Sequence, residues 1–196
     1  GGVVSAGHGN GTSGASGAVF IKYQYPNNLT INSGSGAVTF NGTVGNVGAI
    51  GNLSLSSANG TTTINTSLVA TTGSQTYSNP VTISQAATLR AASITTSSTM
   101  GASSNALTMT TDAVSIGGVL SGTSSLIIQP YTSSTTIGLN TGAGNLSLNA
   151  TEISLLSGFS SITIGSTNGT GAINLTGTTS IGSSTTLRAD SASINI

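Results

Sequence analysis

Thr88-Leu89-Arg90-Ala91-Ala92-Ser93 returns as Thr186-Leu187-Arg188-Ala189-Asp190-Ser191, 98 residues further along the chain. An internal echo at so long an offset marks a chain built from stacked units. Apolar-polar-apolar triplets lie on both sides of it. They include Leu29-Thr30-Ile31, Val38-Thr39-Phe40, Leu53-Ser54-Leu55, Val81-Thr82-Ile83, Leu107-Thr108-Met109 and Val114-Ser115-Ile116. The series continues with Ile137-Gly138-Leu139, Leu146-Ser147-Leu148, Ile153-Ser154-Leu155, Ile162-Thr163-Ile164, Ile173-Asn174-Leu175 and Ile194-Asn195-Ile196. Each triplet puts two apolar side chains on one face of a strand and a small residue on the other. Asn59-Gly60, Gly117-Gly118 and Asn168-Gly169 between them are turn chemistry.

The spacing sets the architecture. Leu107, Leu126 and Leu146 fall about 20 residues apart, as do Ile153, Ile173 and Ile194. The 98-residue echo is then close to about five such coils. These features predict an all-β fold, a right-handed parallel β-helix (β-solenoid) of about 20 residues per coil. Roughly eight or nine coils at about 4.8 Å each give a rod about 40 Å long. An antiparallel sandwich also has regular strands and turns. Strands this short make a poor sandwich, and the echo has no place in one. Gly, Ser, Thr and Asn are poor helix formers, whereas Val, Ile and Thr favour strands, so helix is not expected.

Residues 27–196 read as the solenoid repeats and residues 1–26 as something else. Gly1 to Gly17 is Gly-rich and holds the sole histidine, His8. Ala18 to Pro26 reads as one longer strand carrying Phe20, Tyr23 and Tyr25. These three aromatics are expected to cap the solenoid or to serve in assembly, since an open end exposes apolar core and an unpaired strand edge.

Composition bounds the function. Only 3% of the residues are charged, against about 25% in ordinary domains. Disorder usually pairs high net charge with low hydrophobicity, but here the formal net charge is zero and 36% of residues are hydrophobic. Lys22, Arg90 and Arg188 are the only basic side chains and lie far apart, which excludes a nucleic-acid-binding patch. No run approaches the roughly 18 apolar residues of a membrane span. No signal peptide opens at Gly1. Without cysteine there is no disulfide framework and no Cys-ligated metal.

Catalytic chemistry is sparse. His8 reads as an exposed loop histidine rather than a base or ligand. The only acids, Asp112, Glu152 and Asp190, are spaced by about two coils each. That puts them about 9.6 Å apart along the axis, at or beyond the limit for a glycosidase pair. They read as solitary surface carboxylates. The Gly-Gly-x-Gly-x-Asp repeat of calcium-binding β-rolls does not occur, and no Gly-rich loop opens a helix. No catalytic residue, cofactor or metal is therefore expected. Asn-x-Ser/Thr occurs at Asn10, Asn28, Asn41, Asn52, Asn59, Asn65, Asn145, Asn149, Asn168 and Asn174. In a secreted protein these are candidate glycosylation sites. Asparagines on solenoid turns also stack in ladders that satisfy the amides from coil to coil.

Residues 70–83, Ala70-Thr71-Thr72-Gly73-Ser74-Gln75-Thr76-Tyr77-Ser78-Asn79-Pro80-Val81-Thr82-Ile83, followed by Ala87-Thr88-Leu89, carry a family resemblance. With Gly34-Ser35-Gly36-Ala37-Val38-Thr39-Phe40-Asn41-Gly42-Thr43-Val44-Gly45 they resemble the repeats of filamentous-haemagglutinin-like bacterial surface exoproteins. The similarity spans residues 29–196 and concerns a repeat style. It implies export to the cell surface or medium, a right-handed β-helix, and a part in adhesion or biofilm. The family's N-terminal secretion domain has no counterpart here, so the chain is expected to be an internal or processed piece. Three roles follow. One is a rigid adhesive rod that meets a host or cell-surface glycan or protein receptor. Another is a subunit that self-associates head to tail into an extracellular filament. The least favoured is a carbohydrate-active enzyme, which would need the acids to pair.

Overall fold

The computed structural model describes residues 27–48, 50–56, 59–178 and 180–196. Phe20, Tyr23, Tyr25, His8 and Asn10 lie outside these residues. The first coil holds β1 (Asn27–Asn32) and β2 (Val38–Phe40). The second holds β3 (Ile50–Ser56), β4 (Thr62–Ile64) and β5 (Leu68–Ala70). The third is β6 (Ser74–Tyr77), β7 (Val81–Ile83) and β8 (Ala87–Arg90); the fourth is β9 (Ser93–Thr96), β10 (Met100–Gly101) and β11 (Leu107–Thr110). The fifth is β12 (Ala113–Ile116), β13 (Leu120–Ser121) and β14 (Ser125–Gln129). Then follow β15 (Ile137–Asn140), β16 (Leu146–Leu148), α1 (Ala150–Ser154), β17 (Leu156–Ser157) and β18 (Ser161–Gly165). The chain continues with β19 (Ile173–Thr176), β20 (Ser184–Arg188) and β21 (Ile194–Asn195).

All strand pairings are parallel, and all but that of β15 with β16 join equivalent strands of successive coils. The first face runs β1-β3-β6-β9-β12, the second β2-β4-β7-β10-β13-β17 and the third β5-β8-β11-β14-β18-β20. A fourth sheet, β16-β15-β19-β21, starts beside β12 with no ladder between them. The molecule is a parallel β-solenoid of about eight turns, about 38 Å long at the usual strand spacing.

Alternation explains the strands. In β7, Val81 and Ile83 are buried and Thr82 is exposed. Across the coils such residues align into aliphatic columns, for example Leu89, Met109, Ile128, Ile164 and Leu187. Each buried Leu or Ile is worth about 1.5–3 kcal/mol. On the outside Thr30, Ser54, Thr76, Thr95 and Ser115 form a hydroxyl column that wets the first face without charge.

The inward columns are not aliphatic throughout: Tyr77 and Thr96 stack between Leu55 and Ile116, and Thr62 between Val38 and Val81. Gln75 aligns with Leu53 and Ile94, yet it is fully buried. Its Nε2 donates to the Val69 and Arg90 carbonyls at 2.9 and 3.0 Å, and its Oε1 accepts from the Tyr77 hydroxyl at 2.8 Å. The burial of Tyr77 raises its phenol pKa far above the ordinary value.

The echo proves to span four coils, not five. Thr88 stacks through Thr108, Ile127 and Thr163 onto Thr186, so both copies occupy the same position on the third face. The steps are 20, 19, 36 and 23 residues. The 36-residue coil contains β15, β16 and α1. It also breaks both spacing series. Leu107 pairs with Leu126, but Leu146 pairs with Ile137 in the fourth sheet. Ile173 pairs with Ile194, but Ile153 lies in α1.

Ile153-Ser154-Leu155, expected as a strand, is thus helix and C-cap. Asn149 and Glu152 form a capping box, each side chain accepting from the other's backbone N–H at 3.0 Å. Two satisfied N–H groups favour a helical turn over the alternation pattern. The remaining triplets fall on strands, except that Ile196 lies beyond β21 and is exposed with Ile194.

Candidate functional site

The regular coils present repeated, near-identical edges, so chemistry is sought where the repeat is broken. That place is the enlarged coil. After β14 the chain enters β15 before β16, although β16 lies next to β12. Parallel neighbours usually need a connection of a dozen or more residues. Here β15 pairs with β16, Ile137 opposite Leu146, across the short loop 141–145. Asn140 opens the loop at φ +60°, in the left-handed region. A Cβ on Gly138 would overlap the Gly142 carbonyl oxygen, so glycine is required for that close approach. The loop is tied to the following coil through Asn140 Nδ2 to Thr178 O, Thr141 Oγ1 to Thr176 O and Asn174 Nδ2 to Ala143 O, at 3.1, 2.9 and 2.7 Å.

Two of the three acids hold this coil in place. Asp112 anchors its start: it accepts from the Thr132 N–H, the Thr132 hydroxyl and the Thr135 hydroxyl at 2.7, 2.6 and 2.7 Å. Partial burial works against its charge. Hydrogen bonds from Thr132, Thr135 and the Tyr131 backbone outweigh that, and its pKa lies below the ordinary carboxylate value. Glu152 closes the coil. It was expected at the surface but is only 9% exposed. Besides capping α1, it accepts the Ile116 N–H at 3.0 Å, joining β12 to α1 where the ladder is missing.

Asp112 and Glu152 therefore sit at opposite ends of β12, about 13 Å of strand apart. A glycosidase pair needs about 5–9.5 Å. Asp190 is exposed beyond the enlarged coil, its N–H on the Gly169 carbonyl. Among the described residues no three His, Cys, Asp or Glu side chains gather as a metal site, and no helix is long and apolar enough to cross a membrane. On the third face Arg90 stacks through Thr110 onto Gln129, and Arg188 pairs with Gly165 further along.

The asparagines of the Asn-x-Ser/Thr sequences divide by what their amides do. Asn52 Nδ2 donates to Asn28 Oδ1 at 3.0 Å, Asn65 Nδ2 to Asn41 Oδ1 at 3.1 Å, and Asn195 Nδ2 to Asn174 Oδ1 at 2.7 Å. These are coil-to-coil ladders, extended where Asn52 Oδ1 accepts from the Ser74 N–H and hydroxyl. Asn149 caps α1. Asn59, Asn145 and Asn168 are exposed, and their side chains engage no partner among the described residues.

Between β12, the β15 loop and α1 lies an open groove of about 620 Å³. Ser115, Asn140, Thr141, Asn149, Thr151 and Glu152 supply its polar lining, Ile116 and Ala150 its apolar part. Of these residues only Glu152 was singled out as an acid and Asn149 as a candidate glycosylation site. The groove depends on which coils the chain brings together, and no local pattern announces it. No family model, no curated protein and no solved structure matches the chain.

Proposed function

We propose that this chain is a rigid, non-catalytic rod with a structural and adhesive role at the bacterial cell surface, of the filamentous-haemagglutinin-like kind that its repeats resemble. The supporting observation is the unbroken stacking of the second and third faces, from β2 to β17 and from β5 to β20. Parallel ladders satisfy the backbone along the axis, so length is gained without a thicker core. Ser and Thr columns keep the outside hydrated at almost no net charge. Such a body resists bending and suits holding a contact point away from a surface. Immunogold labelling of intact producing cells with antibody against this chain tests the proposal. Peripheral label that external protease removes is expected; label confined to the cell interior overturns it.

A further inference from the structure

We infer that the groove over the enlarged coil is a binding site for a neutral carbohydrate. In repeat proteins, insertions into single repeats often mark the binding face. This rod departs from its repeat most at one place, and several unusual features meet there: the sole α-helix among the described residues, the out-of-order strands and the left-handed Asn140. Asp112 and Glu152, two of the three acids in the whole sequence, hold that place together. The groove, about 620 Å³ in volume, is open and suits a ligand laid along the surface rather than one enclosed.

The lining defines the ligand class. The Ser115 and Thr151 hydroxyls and the Asn149 amide nitrogen have no hydrogen-bond partner among the described residues. They offer donors to a ligand. Asn140 Oδ1 is likewise without a donor there, since its Nδ2 is the atom that binds Thr178. Each Glu152 oxygen accepts one backbone N–H and retains a second lone pair. Donors and acceptors side by side match vicinal hydroxyl groups, which both give and receive. Ala150, exposed beside them, supplies a small apolar surface for the C–H face of a sugar ring. No described basic side chain lines the groove, and the Glu152 carboxylate repels anions. A neutral sugar is favoured over a sialylated or uronic one.

The inference deepens the adhesive part of the proposed function and rests on that reading. The two are tested separately: cell labelling decides location, binding decides the groove. The purified chain is screened against immobilised neutral oligosaccharides of gluco, galacto and manno configuration, with sialylated and uronate-containing glycans beside them. Ser115→Tyr and Thr151→Tyr fill the groove from two exposed positions, and Thr82→Tyr on the second face is the control. Circular dichroism and thermal melting confirm that each variant is folded. At least one neutral glycan should bind, with affinity reduced tenfold or more by either groove variant and unchanged by the control. No neutral glycan bound, acidic glycans preferred, or binding indifferent to both groove variants overturns the inference.

Discussion

Single residues in this rod matter according to whether a hydrogen-bond partner depends on them. The Gln75–Tyr77 pair shows it. Tyr77→Phe removes the hydroxyl that donates to Gln75 Oε1 and leaves a buried acceptor without a partner. A loss of about 1–3 kcal/mol is expected in chemical denaturation; an unchanged midpoint would mean that water reaches the site. Asp112 makes a pH prediction. Its folded pKa is lowered, so its contribution is present above the unfolded value of about 3.9 and is lost as pH falls through the folded value. The gap in Tm between the native chain and Asp112→Asn should hold steady at neutral pH and close below about pH 4. A gap that persists in acid would show that shape, not charge, anchors Thr132. Neither role was legible in the sequence. Gln75 interrupts an apolar column without a local sign, and Asp112 meets Thr132 only because one coil carries the chain back over it.

At the level of elements, the joint between β12 and α1 is the informative part. Glu152→Ala deprives two N–H groups, those of Ile116 and Asn149, of their acceptor. It should cost about 2–6 kcal/mol, at one to three for each stranded group, while Asp190→Ala at an exposed site stays within about 0.5 kcal/mol. Equal effects in a urea titration would refute the structural role of Glu152. Gly138→Ala is expected to loosen the β15 loop, because the added methyl meets the Gly142 carbonyl. Hydrogen exchange should then speed up in β15 and β16 and stay slow in β7 to β11. The strand triplets were readable because a period of two survives in any half-buried strand. The helix carried a readable sign of its own, Asn149-x-x-Glu152, which the run Ile153-Ser154-Leu155 disguised. A five-residue segment supports either pattern until its hydrogen-bond partners are known.

For the whole molecule, strand order carries a consequence for stability. β15 has β16 on one edge and β19 on the other, and β19 arrives 33 residues after Asn140. Ending the chain at Gly165 therefore uncovers an edge of β15 while every ladder among coils one to five remains. Hydrogen-exchange mass spectrometry should show protection lost in residues 137–148 and retained in residues 62–110. Uniform loss would mean that the rod unfolds as one cooperative unit. Contacts pass mainly between adjacent coils, so the local outcome is expected of a stacked repeat.

What the sequence by itself determined is the repeat: short parallel strands, a mainly aliphatic inside, a hydroxylated outside and a coil near 20 residues. Those follow from side-chain alternation and turn composition, which are local and recur in every coil. Tertiary structure alone decided how many coils the echo from Thr88 to Thr186 spans, that Glu152 is buried rather than exposed, and where the groove lies. Each of these depends on the 36-residue coil. There the register is set by contacts between residues far apart in sequence, and a spacing count cannot reveal a strand that is laid down out of order.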